Sequence, residues 1–172
     1  MIIRFMRGTG WESTAIVWQE KACMPFPPSH VESLSRDGTT YIGAHIDDGV
    51  RARPIGYDKG HIAKLPTGYD ASVFPDGLCD FLLNIPATPE QDDKFHLLQE
   101  ARIGQPYDWK AIIGFLLPNH EHMTNHAICS AAVTLDLRGC GRFRWRLATP
   151  AHLVDPRDLL LMLSTHMQIP GV

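Results

Sequence analysis

The hydrophobic pattern of the first half of the chain predicts short β-strands separated by turns. An apolar run opens the chain at positions 2–5, and the run AIVW at 15–18 predicts a second strand. Residues 29–45, SHVESLSRDGTTYIGAH, predict a hairpin, because Asp-Gly at 37–38 is a strong tight-turn dipeptide between two extended runs. Three later runs, VRARPI, YDASVF and CDFLLNIP, also have the pattern of strands.

The second half of the chain predicts helices. Thr88 is a suitable N-cap, Pro89 suits the first turn, and Gln91 can complete a capping box. The helical pattern that follows ends at Gly104. A second apolar stretch, at 109–117, stops before a proline.

The clearest helical pattern begins near Cys129 and ends at Gly139. Four apolar residues recur at i, i+3, i+4 and i+7 and predict one buried stripe. They are Ile128, Ala131, Ala132 and Leu135. A shorter helical segment follows Thr149, and its apolar end, DLLLML, predicts a packed helix. Strands followed by helices predict a single α+β domain over residues 1–172.

Composition narrows the class of protein. The 172 residues are 44% hydrophobic and 20% charged, which is enough to build a core without disulfides or metals. The net charge is −3 and no basic cluster is interleaved with aromatics, so no nucleic-acid partner is predicted. The N-terminus lacks a signal-peptide pattern, and no run approaches membrane-spanning length. We therefore expect no stable membrane anchor, and a location in the cytoplasm unless export uses another route.

Cys129 is the best candidate for a reactive group. The chain has four cysteines without a CxxC pattern, which predicts reduced thiols. In the first turn of a helix, unpaired N–H groups and the helix dipole favour a thiolate, the nucleophile of cysteine hydrolases. The alternative is that Cys129 is a small core residue beside two alanines.

A nucleophilic thiol needs a histidine as its base. His30 lies on the first strand of the predicted hairpin and His45 at the end of the second. Facing cross-strand residues have Cβ atoms about 5 Å apart, so one imidazole could orient the other. Ordinary polar surface positions remain the alternative for both histidines.

These motifs resemble a known family. The string SHVESLSRDGTTYIGAH, followed by GV, GQPYDW and ICSAAV, resembles the permuted branch of the NlpC-type papain-like superfamily. The YiiX-like hydrolases belong to this branch, and the lecithin retinol acyltransferase group is more distant. The resemblance spans most of the chain, from near Gly8 to near Thr149, in the order histidine strand, then cysteine helix. It implies a permuted papain-like fold, with a small antiparallel sheet or barrel packed against helices.

The resemblance also implies the roles of the site residues. Cys129 corresponds to the nucleophile, His30 to its base and His45 to the residue that orients the base. Tyr107, in PYDW, corresponds to a tyrosine that could hold the oxyanion. Glu32 is a rival for the orienting role, but it shares a strand face with His30 and is expected to lie one pleat away.

The implied activity is cleavage of an amide, of the kind found in peptidoglycan-type peptides, through an acyl-enzyme thioester. Two alternatives stay open: a lipid acyl hydrolase or acyltransferase, and a non-catalytic binding module. A metal-dependent hydrolase could use His120, His122 and His126, but the segment NHEHMTNH lacks the HExxH order, and no metal or cofactor is predicted. The expected ligand is a peptide or lipid with an amide or ester bond.

Overall fold

Five antiparallel strands form the sheet that supports the candidate site. The computed structural model describes residues 1–19, 27–65, 76–110, 127–143 and 149–164. The strands are β1 (Ile2–Met6), β2 (His30–Leu34), β3 (Thr40–His45), β4 (Gly49–Pro54) and β5 (Asp80–Asn84). Their spatial order is β4-β3-β2-β1-β5, which places β2 in the centre of the sheet.

Four helices and one short 3-10 turn occur in the described ranges. They are α1 (Trp11–Gln19), α2 (Pro89–Ala101), α3 (Cys129–Gly139) and α4 (Pro156–Ser164), with a 3-10 turn at Ala151–Leu153. The α+β class is thus confirmed, and the strand of His30 precedes the helix of Cys129. None of these helices combines the length and apolar character needed to cross a bilayer.

The predicted hairpin is confirmed as β2 and β3. Asp37 builds its turn, since its carboxylate accepts hydrogen bonds from Ser35 Oγ at 2.6 Å and Thr39 Oγ1 at 2.8 Å. Gly38 has a φ of 70°, a conformation that favours glycine. The turn therefore sets the register of the two strands.

The run at 15–18 is a helix, so the prediction of a strand there was wrong. The residues belong to α1, whose first turn is closed by a hydrogen bond of 3.1 Å from Thr14 N to Gly10 O. Ser13 and Ile16 are buried, one helical step of three residues apart, whereas Trp18 is 67% exposed. A short apolar run does not distinguish a strand from a helix by its own periodicity.

The helix predictions of the second half are largely confirmed. Thr88 and Gln91 form both bonds of a capping box at the start of α2. α3 ends at Gly139 as predicted, but Leu135 is 40% exposed, so its place in the buried stripe was wrong. The buried residues of α3 are not confined to one stripe, since 129–134, 136 and 137 are all buried, and Leu135 lies on the side that faces solvent. The YDASVF strand, the helix beyond residue 110 and the 120–126 histidines lie outside the described residues.

The main core lies between the sheet and helices α2, α3 and α4. It contains Ile3, Phe5, Val31, Leu83, Phe95, Leu137, Leu159 and Leu163. Three of the apolar residues of DLLLML are buried there, which confirms a packed helix at this end of the chain. Because α3 packs against β2 and β3, its first residue, Cys129, lies beside the strand that carries His30.

Candidate active site

The open end of the hairpin brings the two predicted histidines together. The β2–β3 ladder consists of Ser33↔Ile42 and Leu34↔Tyr41, and the same register continued outward places His30 opposite His45. Their ring centroids are 4.3 Å apart, with 56° between the ring planes. The two imidazoles are thus direct neighbours at the open end of the β2–β3 hairpin.

Glu32 lies between the two histidines. Its Oε1 is 2.9 Å from Nε2 of His45 and 3.5 Å from Nε2 of His30. The hydroxyl of Tyr57 donates a hydrogen bond of 2.7 Å to the same oxygen. Glu32 lies one pleat from His30 along β2, as expected, but its carboxylate still comes within 3.5 Å of the imidazole. Gly43 on β3 explains the difference: a Cβ there would be 2.7 Å from Glu32 Cγ, so only a glycine leaves this space free.

Arg4 on β1 holds the other oxygen of Glu32. Its Nη1 is 3.2 Å from Glu32 Oε2 and 2.8 Å from Asp58 Oδ2. The guanidinium also forms a two-pronged pair with Asp80, with distances of 2.8 and 2.5 Å. One buried cation thus faces three carboxylates, and this arrangement fixes the orientation of Glu32.

Glu32 is fully buried, yet its neighbours keep it ionised. Burial by itself opposes ionisation, but the neighbouring His30, His45 and Tyr57 outweigh it and hold the pKa of Glu32 well below its ordinary value. The same surroundings raise the pKa of the Tyr57 phenol, through burial first and the charge of Glu32 second. Tyr57 therefore stays protonated and remains a hydrogen-bond donor.

Cys129 lies at the first position of α3 and is only 2% exposed. The backbone N–H groups of Val31 and Ser130 are within hydrogen-bonding reach of its sulfur. Val31 lies beyond the β2–β3 ladder, and it directly follows His30 in the chain. The thiol therefore sits against the strand of the candidate base.

The expectation of a stabilised thiolate at Cys129 was wrong. Burial raises the pKa of Cys129 to about 11, and it outweighs the N–H groups at the helix terminus. Burial, followed by the neighbouring His45, lowers the pKa of His30 to about 4. At neutral pH the site therefore holds a thiol and a neutral imidazole rather than an ion pair.

Tyr107 packs against the apolar cluster that includes Ile128, the residue before Cys129. It forms a bridge with Ala127, and the chain there is fixed by hydrogen bonds from Asp108 N to Ala127 O and from Ala127 N to Pro106 O. Burial first, and then the charge of a Cys129 thiolate, raise the pKa of Tyr107 well above its ordinary value. The phenol thus stays protonated next to the sulfur.

A cavity of about 350 Å³ opens over these residues. Its walls include His30, His45, Tyr57 and Tyr107, while the buried Cys129 is not part of its lining. The lining also includes three carboxylates and, among the described residues, neither lysine nor arginine. The carboxylates are Glu12, Asp47 and Asp58. The cavity therefore favours polar, neutral or cationic groups over anions.

Sequence reasoning missed Arg4, Tyr57, Asp58 and Asp80. Arg4 carried a usable signal, since a charged residue in the middle of an apolar strand predicts a buried ion pair. Tyr57 and Asp58 lie in a turn after β4 and carry no local signal of their contacts. His120, His122 and His126 are outside the described residues, so the site is built without them.

A comparison of the chain with protein-family models and with curated proteins found no match. The resemblance to the permuted papain-like group therefore rests on the motifs of this chain and on the order of its elements.

Proposed function

We propose that this protein is a thiol-dependent hydrolase of the permuted papain-like type, with Cys129 as nucleophile and His30 as base. The main observation in support is that Cys129 is the first residue of α3, and that α3 packs against β2, the strand that begins with His30. His30 also lines a substrate-sized cavity and faces a second histidine and a buried carboxylate. His30, Glu32 and His45 thus lie together, and the helix that begins with Cys129 packs against their strands, which supports the proposed roles.

In this mechanism the Cys129 sulfur attacks the carbonyl carbon of the substrate. Because the thiol is buried and outside the cavity lining, the attack requires the cavity wall to open beside Cys129. His30 takes the thiol proton, and it does so during the attack because both partners are neutral beforehand. The phenol of Tyr107 donates to the oxygen that becomes negative. The tetrahedral intermediate expels the amine or alcohol with the proton from His30, which leaves a thioester. Water, activated by His30, then releases the acid and restores the thiol.

Glu32 and His45 have separate tasks in this proposal. The His30 imidazolium that forms during the attack lies 3.5 Å from the Glu32 carboxylate, which stabilises its charge. His45 bonds to the same carboxylate oxygen and packs at a tilted angle beside His30, so it limits the rotation of the proposed base. We therefore assign Glu32 to electrostatic support and His45 to orientation.

A peptide amide is the substrate class that we favour, of the kind found in peptidoglycan-type peptides. The three carboxylates of the cavity wall would have to be desolvated by a hydrocarbon chain, at a cost that peptide groups avoid through hydrogen bonds. A lipid acyl group is the second candidate for the same chemistry.

Acyl transfer to the protein tests this proposal. A p-nitrophenyl ester is incubated with wild type, and the acyl adduct is located by intact-mass and peptide mass spectrometry. We expect one adduct, at Cys129, and none in Cys129→Ala. His30→Ala should slow acylation about 100-fold or more, because it removes the general base. Cys79→Ala is the matched control, since Cys79 is equally buried and should not affect labelling.

The same experiment distinguishes catalysis from a binding module. The buried, protonated state of Cys129 is the observation that favours a module without turnover. An adduct on another cysteine, or an acylation rate that His30→Ala leaves unchanged, would refute the thiol mechanism and favour the module.

A further inference from the structure

Three potential metal ligands lie close together at the open end of the β2–β3 hairpin. Nε2 of His30, Oε1 of Glu32 and Nε2 of His45 all lie within 4.8 Å of one another. Oε1 of Glu32 is 3.5 Å from Nε2 of His30 and 2.9 Å from Nε2 of His45. Ligands about 2.0 to 2.1 Å from a tetrahedral Zn²⁺ are about 3.3 Å apart. One ion could therefore contact all three atoms after small movements of the side chains.

His30 Nε2 is a buried nitrogen without a hydrogen-bond partner among the described residues. Its contact of 3.5 Å with Glu32 is too long for a good hydrogen bond. Buried polar atoms in native proteins nearly always have a partner, and an unpartnered one calls for an explanation such as an ion. A bound metal would supply the missing partner.

The formal charges around this cluster favour a dication. The single guanidinium of Arg4 is paired with Glu32, Asp58 and Asp80, so the group has a formal charge of −2. Arg4, Glu32 and Asp58 are buried, so water screens this excess poorly. A divalent ion bound to Glu32 would offset it.

We infer that His30, Glu32 and His45 bind a divalent transition-metal ion such as Zn²⁺, and that the bound ion inhibits the hydrolase by occupying its base. Two imidazoles and one carboxylate are ligands that suit such ions, whereas Ca²⁺ and Mg²⁺ prefer sites made of oxygen atoms. Three protein ligands leave a coordination position free for water. The Cys129 thiol is not a member of the ligand group.

The inhibition follows from the chemistry of imidazole. A neutral imidazole has one nitrogen with a free lone pair and one that carries a proton. If Nε2 of His30 binds the metal, Nδ1 keeps its proton and cannot accept that of Cys129. This second part of the inference rests on the proposed function, whereas the metal site itself does not.

Direct titration tests the site. EDTA-treated full-length protein is titrated with Co²⁺, followed by its visible d–d absorption, and with Zn²⁺ in a calorimeter. We expect one ion per chain and no near-ultraviolet band from a cobalt–thiolate bond. His45→Ala and Glu32→Gln should each weaken binding more than about 100-fold, with circular dichroism used to verify the fold. Glu32→Gln keeps the size of the side chain, so it preserves the packing over Gly43.

Two controls make the titration specific. His61 lines the same cavity but is outside the ligand group, so His61→Ala should bind Co²⁺ like wild type. Cys129→Ala should also keep the wild-type affinity. The site is refuted if wild type binds no stoichiometric ion, or if either control loses as much affinity as His45→Ala.

Acylation of Cys129 tests the inhibition separately. Saturating Zn²⁺ should slow ester labelling of wild type about 10-fold or more, and EDTA should restore it, whereas His45→Ala should be insensitive to the same Zn²⁺. If Zn²⁺ binds without slowing acylation, the inhibitory role is refuted and the site stands. If the EDTA-treated protein is inactive and Zn²⁺ activates it, both the inhibition and the proposed thiol mechanism are wrong. If Cys129 is never acylated, the proposed function and the inhibition that depends on it both fail, and the titration still decides the site.

Discussion

His30 differs from a solvent-exposed histidine in its protonation. Burial disfavours the imidazolium and His45 adds to the effect, so the pKa of His30 falls to about 4. In the proposed mechanism, His30 is already neutral at pH 5 and can accept the thiol proton over a wide pH range. The lower pKa also makes His30 a weaker base, and Glu32 offsets this by stabilising the imidazolium once it forms.

The pH dependence of acylation follows from this residue. Protonation of His30 removes the base, so kcat/KM should fall as pH drops through about 4 rather than through about 6.5, the value of an ordinary histidine. The rate should stay level above this limb until the thiol ionises near pH 11. A pH profile of ester acylation, over the range in which circular dichroism shows an intact fold, measures both limits. An acid limb at pH 6.5 would show that His30 is solvated in the working enzyme.

Residues of the site differ in how far the sequence revealed them. Cys129 and His30 are predicted as nucleophile and base from the order of their motifs along the chain, and this assignment stays a prediction. The place of Glu32 could not be judged from strand alternation, since it depends on the missing side chain of Gly43 on the neighbouring strand. A period-two pattern gives the face of a strand but not the direction in which a long side chain bends.

At the level of elements, local signals decided which predictions succeeded. The β2–β3 hairpin and the α2 capping box depend on residues within a few positions of each other, and both were predicted. α1 was missed because its apolar run is too short to show a period. Packing favours the helix, since Ile16 belongs to a small apolar cluster with Ile128, Ala131 and Ala151.

Gly43→Ala tests the fit between β2 and β3. The new Cβ would lie 2.7 Å from Cγ and 3.1 Å from Oε1 of Glu32, so the carboxylate must move away from the histidines. We expect the free energy of unfolding to fall by about 1 to 3 kcal/mol, and Cys129 acylation to slow as well. Urea unfolding and the ester assay measure the two effects. Arg51→Ala, at the exposed partner position on β4, should change stability by less than about 0.5 kcal/mol. A Gly43→Ala protein as stable and reactive as wild type would contradict this packing argument.

For the molecule as a whole, a polar cluster joins distant parts of the chain. Arg4 reaches Glu32 on the neighbouring strand β2, Asp58 in a turn and Asp80 at the start of β5. These partners are separated from Arg4 by up to 76 positions, so no local pattern could pair them. Breaking one member leaves the others as uncompensated buried charges, which is strongly destabilising. The cluster thus couples the stability of the sheet to the ionisation of the site.

Acid stability should therefore depend on His30. Its pKa is about 4 in the folded protein and about 6.5 in an unfolded chain, so the unfolded state takes up a proton first as pH falls. The contribution of His30 to the free energy of unfolding is present above pH 6.5 and is lost as pH falls from about 6.5 to about 4. Between pH 7 and pH 4.5 this loss is about 2 to 3 kcal/mol. The lowered pKa of Glu32 acts in the same direction at still lower pH.

Urea unfolding at pH 7 and pH 4.5 measures this loss in wild type, in His30→Gln and in His61→Gln. His30→Gln cannot bind the proton in either state, so its loss between the two pH values should be smaller by about 2 to 3 kcal/mol. His61 is exposed, and His61→Gln should show the pH dependence of wild type. Comparing losses between pH values within each variant removes any constant effect of the substitution on packing. Equal losses in wild type and His30→Gln would mean that His30 is protonated as easily in the folded protein as in the unfolded chain, and the neutral buried base proposed for the thiol mechanism would then be wrong.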